Sequence, residues 1–289
     1  MNDAMRKIMD DVQWMLPRKM AHSIVHFRFN KKLMPWKNPK TYDEKLRWLL
    51  ANCYGKNESM YADKYEVRDY VKSCGLEEIL IPCYGVWNSS DEIDVSKLPE
   101  SFILKATHGT GSDCYAIVKD KSDTIALNAA FKKMDAALKI NIAKIGCQYQ
   151  YAHIKPRIIC EGLLHNGGKP MTDYKVVCIN GKPEYILVCS DRDEGRDYFD
   201  VNWNHLDDFI KPEFMCKHAV KKPENLEKML KCAEVLSKPF AVVRIDFYNV
   251  GGCVYFGEIT LTPSTCYHGN LTYKAEMEIG NKIKLPNLV

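Results

Sequence analysis

The run VVRIDFY sets Arg244 and Asp246 two residues apart, and YFGEITLT does the same for Glu258 and Thr260. Side chains of an extended strand alternate in direction, so each pair shares a face. Between the two runs, NVGG is a turn signal that folds the second strand back on the first. Asp246 and Glu258 are therefore expected side by side. Two adjacent carboxylates repel unless a positive charge lies between them. A divalent cation is one solution, and Mg²⁺ takes one or two carboxylates together with phosphate oxygens and water. The other is a solvated ion cluster in which Arg244 neutralises both acids.

A second stretch, LKATHGTGSDC, puts Lys105 at the end of an apolar run, just before the loop His108, Gly109, Thr110, Gly111, Ser112 and Asp113. Glycine exposes backbone N–H groups to phosphate oxygens and lysine adds charge, but a two-glycine loop also simply turns a chain. The lysine precedes the glycines, the reverse of the P-loop order. In DYKVVCING, Asp173 and Lys175 share one face of an otherwise apolar strand. Alone this is a surface ion pair; within a nucleotide site it offers a ribose acceptor and a phosphate partner. A metal site and a phosphate site in one chain together suggest Mg–ATP. His22 and His26, four apart, have a metal-compatible spacing, but with no third ligand nearby they read as packing or surface histidines.

These residues need elements to hold them. The 289 residues suffice for one large domain or two modest ones. A net charge of +4 is too slight for a nucleic-acid-binding surface over the whole molecule. The charge is uneven: no Asp or Glu occurs from Val12 to Tyr42, where Arg18, Lys19, Arg28, Lys31, Lys32, Lys37 and Lys40 fall. Such a run could face a membrane surface or solvent. The 12 cysteines have no C-x-x-C pair, no export signal is visible and no apolar stretch is long enough to span a bilayer. Reduced thiols in a cytoplasm are the expectation.

The first forty residues read as a basic helical segment. Thr41 and Glu44 form a capping-box spacing that starts a helix in TYDEKLRWLL. ADKYEVRDYVKSCG reads as another helix stopped at Gly75, and TIALNAAFKKMDAALKI as a third with Thr124 as its cap. ILIPCYGVW, SFILKAT and CYAIVKD are short strands. The second half alternates strands paired through NGK and NVGGC turns with one helix in KPENLEKMLKCAEVLSKPF, Leu226, Met229, Leu230, Ala233 and Leu236 facing inward. Hairpins with interspersed helices argue for an α+β fold.

In this order, the strings PKTYDEKLRWL, ADKYEVRDYV, LPESFILKATHGTGS, RIICEGLL, DYKVVCINGKPEYI and VRIDFYNVGGCVYFGEITLTP resemble the TupA-like branch of the ATP-grasp superfamily, from about Pro39 to Ser264. The resemblance implies an ATP-grasp fold: a helical segment over 1–67, a lid subdomain with the glycine loop over 68–160, and a metal-bearing core subdomain over 161–289, with ATP between the subdomains. By the same resemblance Arg68 and Lys105 contact nucleotide phosphates, His108 to Ser112 cover the triphosphate, and Glu161 lies in the strand beside adenine. Asp173 falls where ribose binds, Lys175 and Arg244 meet the phosphates or an acyl-phosphate, and Asp246 and Glu258 are Mg²⁺ ligands. Many members end this motif with Glu-x-Asn; Thr260 stands at the Asn position here, a weaker metal ligand that Thr262 or a water would supplement.

The implied chemistry is ADP-forming ligation of a carboxylate to an amine, with ATP and Mg²⁺. The implied substrates are small-molecule or glycan carboxylates and amines of surface polysaccharide synthesis, sugar-nucleotide or lipid-linked forms among them. The implied location is the cytoplasm, at the inner membrane face if the basic segment makes contact there. Nucleic acid is not an expected partner. One rival reading is a glycosyltransferase, since DRD at 191–193 has the Asp-x-Asp form that holds a metal–nucleotide-sugar; Arg192 and Arg196 in the same loop could instead grip an anionic acceptor. Another is a glycan kinase that keeps the ATP site and stops at phosphate transfer.

Overall fold

Pro17 divides the basic N-terminal segment into α1 (Asp3–Met15) and α2 (Arg18–Asn30), and α2 ends at Lys31 in the left-handed conformation. The computed structural model describes residues 3–165, 171–191, 195–263 and 269–288. His22 and His26 are both buried, so the second face of α2 packs inward. The expected capping box opens α3 (Tyr42–Asn52): the Thr41 hydroxyl accepts the Glu44 N–H at 3.2 Å, and the Glu44 carboxylate accepts the Thr41 N–H at 3.1 Å. His26 and Asn30 reach Asp43 on α3 at 2.9 Å each, and Arg47 reaches the same carboxylate at 2.8 Å.

A short α4 (Ser59–Ala62) precedes α5 (Val67–Ser73), which is shorter than ADKYEVRDYVKSCG suggests. Asp63 explains the interruption, because its Oδ1 accepts the N–H groups of Tyr65 and Glu66 at 2.7 and 3.2 Å and turns the chain locally. Strands β1 (Cys83–Trp87), β2 (Phe102–Ala106), β3 (Tyr115–Val118) and β4 (Ile158–Gly162) form an antiparallel sheet ordered β1-β4-β2-β3. Helix α6 (Thr124–Ala137) covers one face; Leu127, Ala130 and Met134 pack with Phe102, Leu104, Ile158 and Cys160. Its cap is Asp123 rather than Thr124. The Asp123 carboxylate accepts the N–H groups of Ile125 and Ala126 at 3.1 and 3.0 Å, two donors that one hydroxyl would satisfy less well.

The second sheet is ordered β7-β6-β5-β8-β9, antiparallel throughout, from β5 (Asp173–Ile179), β6 (Lys182–Asp191), β7 (Gly195–Asp200), β8 (Val242–Val250) and β9 (Cys253–Thr260). Both expected hairpins are present. Asn180 and Gly181 (φ 50° and 77°) and Gly251 and Gly252 (φ 57° and 76°) take the left-handed conformation that two-residue turns require. Helix α7 (Leu226–Ser237) packs on one face with Leu226, Met229, Ala233 and Leu236 buried and Leu230 only partly so. Helix α8 (Tyr273–Lys282), capped by Thr272, packs against α3.

Two compact units result: residues 1–54 with 166–289, and residues 55–165. The first 54 residues thus join the strands of the second sheet, whereas the sequence suggests a separate segment up to 67. The glycine-loop unit likewise begins at 55 and ends at 165 rather than spanning 68–160. Cysteines of the described residues are all free, and none of their helices is long and apolar enough to cross a membrane.

Candidate functional site

In the first unit the charged strand residues meet on the sheet face away from α7. Cys178 Sγ lies against the Ala233 carbonyl of α7, which fixes Tyr174, Val176 and Cys178 on the helix side and Asp173, Lys175 and Val177 on the other. Register pairs Lys175 with Asp246 and Val177 with Arg244 across β5–β8, then Arg244 with Thr260 and Asp246 with Glu258 across β8–β9. Six sequence-selected residues are thereby brought together.

The pairing of Asp246 with Glu258 depends on an irregularity. Counting back from the Gly251–Gly252 turn, Val250 pairs with Cys253 and Phe247 with Phe256; unbroken counting would set Gly257 opposite Asp246. The ladder instead slips by one residue between Asp246 and Phe247, with Gly257 as the extra residue. Phe256 can then face the core with Phe247 while Glu258, two residues on, faces the other way with Asp246. Side-chain bulk at Gly257 would crowd the Asp246 carbonyl, since an added Cβ would lie 3.0 Å from that oxygen.

Asp246, 5% exposed, is the hub. Arg244 Nε donates to its Oδ1 at 2.6 Å, and Arg244 Nη2 and Lys175 Nζ both donate to Oδ2 at 2.7 Å. Lys175 also lies 3.3 Å from Asp173. The Thr260 hydroxyl accepts from Arg244 at 3.1 Å and donates to Glu258 at 3.1 Å, so it orients both. Burial works against the Lys175 ammonium, but Asp246 and Asp173 outweigh it and raise its pKa; Asp246 likewise raises that of Arg244 against its burial. Both stay charged.

This donor set fits Mg²⁺. Its oxygens are hard ligands, Asp246 Oδ1 accepts a single donor and keeps a lone pair, and Glu258 has a side chain 40% exposed. Among the described residues no group of three His, Cys, Asp or Glu side chains is placed to hold a metal ion by itself.

The second unit holds a cluster of opposite balance. Glu161 on β4 receives Lys105 Nζ of β2 at 2.7 Å and Arg68 of α5 at 3.1 Å; Arg68 also donates to the Ile81 carbonyl at 2.8 Å. The glycine loop follows β2. Gly109 is buried, and a Cβ there would overlap Cys114, so glycine serves close packing at that position. Gly111 has φ 78° with open space around it, and Thr110, Gly111, Ser112 and Asp113 are exposed. The loop's free arc is therefore Thr110–Asp113. Lys64, which the sequence reading passed over, braces the loop by donating to the Gly109 carbonyl at 2.7 Å. Only its place beside Tyr65 to Arg68 in ADKYEVR could have drawn attention to it.

His108 does not join the loop's exposed arc. It is 4% exposed, and Nε2 donates to the Ile140 carbonyl at 3.1 Å. Burial lowers its pKa, so the ring is neutral near pH 7. Its contacts are those of a packed residue behind the exposed arc. Arg192, with Asp193, lies outside the described residues, as does part of the DRD motif.

Residues 44–284 match the family described as TupA-like ATPgrasp. No curated protein matches the chain. Among solved structures it is similar to D-alanine–D-alanine ligase from Helicobacter pylori, with 19% identity over 78% of this chain and 62% of that one, and a TM-score of 0.44. It is also similar to N5-carboxyaminoimidazole synthetase from Staphylococcus aureus complexed with ADP (14%, 86% and 56%, TM-score 0.44). A third is D-alanine–D-alanine ligase from Bacillus anthracis (15%, 84% and 70%, TM-score 0.47). The chain thus spans less than two thirds of the first of these structures.

Proposed function

Because the chain belongs to the TupA-like ATP-grasp family, and so has the α+β ATP-grasp fold, we propose that it is an ATP- and Mg²⁺-dependent carboxylate–amine ligase. The observation that carries this reading is the register pair Asp246–Glu258, flanked on one sheet face by the buried Arg244 and the half-buried Lys175. Asp246 and Glu258 would hold Mg²⁺, with Thr260 positioning Glu258. Bound there, the ion would neutralise phosphate charge and orient the triphosphate.

Lys175 and Arg244 are assigned to the γ-phosphate and to the acyl-phosphate that follows. Arg68, Lys105 and the arc Thr110–Ser112 are assigned to the other phosphates, Glu161 to adenine and Asp173 to ribose. Arg192 is assigned to an anionic acceptor. In the reaction a substrate carboxylate oxygen attacks the γ-phosphorus and the bond to the β,γ-bridging oxygen breaks, releasing ADP. An amine nitrogen then attacks the acyl carbon, phosphate leaves and the amine loses a proton. No covalent enzyme nucleophile is needed; positioning and charge neutralisation suffice. The unit of residues 55–165, with the glycine loop, is assigned the nucleotide-covering role, and the unit of residues 1–54 with 166–289 the metal-bearing one.

The proposed substrates are a uronic acid or similar carboxylate of a surface polysaccharide and an amino acid or amine, at the cytoplasmic face of the membrane. The helices α1 and α2 support that location. Met5, Ile8, Val12 and Met15 form an exposed stripe at helical spacing, Met20, Ile24 and Phe27 another, beside the acid-free run carrying Arg18, Lys19, Arg28 and Lys31. An anionic lipid surface complements both properties, whereas a second copy would set like charges together. Sedimentation with vesicles containing phosphatidylglycerol, and not with phosphatidylcholine alone, is the expected result.

ADP release from ATP–Mg²⁺, screened against uronic acids, sugar nucleotides and amino acids, tests the ligase. ADP formed only when acid and amine are both present is the expected result. Release of UDP from a UDP-sugar without ATP would favour the glycosyltransferase, and ADP with a phosphorylated glycan and no amine would favour the kinase.

A further inference from the structure

The first unit contains a cavity of about 460 Å³ that shares no residue with the Asp246 cluster. Its size is that of a small-molecule site. Its walls come from the end of α2, the connection to α3, the start of α8 and residues 211 and 269–271.

The cavity's charges are unevenly satisfied. Its acids are already engaged: Asp43 holds His26, Asn30 and Arg47, Glu44 accepts the N–H groups of Lys40 and Thr41 at 2.7 and 3.1 Å, and Glu276 accepts the Asp43 N–H at 2.8 Å. Its three ammonium groups, Lys32, Lys40 and Lys211, have no carboxylate partner among the described residues. Lys32 lies 5.8 Å from the centre of the Tyr273 ring, a wall residue too.

An independent observation comes from His26, 2% exposed and also in the wall. Its Nδ1 lies 2.9 Å from Asp43 Oδ2, whereas Nε2 has no hydrogen-bond partner among the described residues. A buried ring nitrogen without a partner is costly unless a ligand or water meets it. With Nδ1–H given to Asp43, Nε2 accepts from a hydroxyl when the ring is neutral and donates to an anionic oxygen when it is protonated.

We propose that this cavity binds a small polyhydroxylated anion, its carboxylate or phosphate group held by Lys32, Lys40 and Lys211 and a hydroxyl or anionic oxygen meeting His26 Nε2. Three unpaired cations around one space raise the local concentration of anions, and pinned acids do not oppose it. A sugar carboxylate and a sugar phosphate present the same chemistry to these groups. The proposal goes beyond the ligase reading and needs neither ATP nor turnover.

Titration calorimetry of the full chain at low salt with glucuronic acid, glucose 1-phosphate and neutral glucose tests it. The expected result is binding of at least one of the two anions and none of glucose. Combined Lys32→Gln, Lys40→Gln and Lys211→Gln substitution should weaken that binding by roughly tenfold or more and leave ATP affinity unchanged. Lys105→Met should leave anion binding unchanged, because it alters only the other unit's cluster. The proposal is overturned if neither anion binds up to about 10 mM, if the triple variant binds as the wild type does, or if Lys105→Met abolishes the anion signal. ATP binding followed separately in the same variants reports on the ligase reading alone.

Discussion

The two charged clusters are near opposites. On the strands of the first unit, Asp173, Asp246 and Glu258 face Lys175 and Arg244: three carboxylates against two cations, a formal excess of one negative charge. In the second unit Lys105 and Arg68 face Glu161 alone, an excess of one positive charge. A surplus carboxylate at a hard-oxygen site suits a divalent cation, and surplus cations beside an exposed glycine loop suit phosphate. Ion pairs alone are therefore a poor guide to role. The uncompensated remainder carries the information, and it has the opposite sign in the two places.

The largest effect should separate residues inside the first cluster. Asp246→Asn leaves the buried Arg244 and the half-buried Lys175 without their shared acid; stability should fall by about 3 kcal/mol and ADP release by roughly a thousandfold. Glu258→Gln should reduce turnover comparably yet cost less than about 1 kcal/mol, because its side chain is 40% exposed. Urea denaturation alongside ADP release distinguishes the two, and equal stability losses would break the contrast. Next, Lys105→Met should raise the KM for ATP about 10–100-fold with a smaller change in kcat, since it removes the charge proposed to meet phosphate. A kcat loss as large as that of Asp246→Asn would mean that the clusters are not divided as described.

An acid whose nearest partner is a backbone N–H should behave differently from either cluster. Burial, chiefly, lifts Glu276 from 4.5 to about 7. Across that window the folded chain keeps a proton that the unfolded chain has lost, so stability falls as pH rises through it. Glu276→Gln should remove that fall, about 3 kcal/mol in all, read from unfolding at several pH values, while its amide oxygen still accepts the Asp43 N–H. The smallest effects concern the loop. Gly109→Ala should cost about 1–2 kcal/mol through overlap with Cys114, and Gly111→Ala about 1 kcal/mol through its left-handed backbone. Only the Gly111 change, on the exposed arc, should also weaken ATP binding.

Much of this was legible because it rests on local rules. Strand alternation placed Arg244 with Asp246 and Asp173 with Lys175, the Asn180–Gly181 and Gly251–Gly252 turns marked both hairpins, and Thr41 with Glu44 marked a helix start. Other features depend on distant packing. That His108 turns toward Ile140 follows from burial, not from its neighbours in sequence. Lys64 and Glu161 are separated by many residues from the groups they hold, and nothing in their spacing announces the contacts. The cavity beside α2 needs residues 26 to 44, 211 and 269 to 277 together, which no single motif spans.

The odd residue at Gly257 makes folding and chemistry separable. Were the ladder not to slip there, β8 and β9 would run on in unbroken step, a ladder as sound as before or sounder, yet Gly257 would stand opposite Asp246 and the carboxylate of residue 258 would swing toward the hydrophobic side, opposite Ile245. A one-residue change of pairing would thus silence the protein without visibly harming it, and anyone transplanting this hairpin into another scaffold must carry the slip along with the acids.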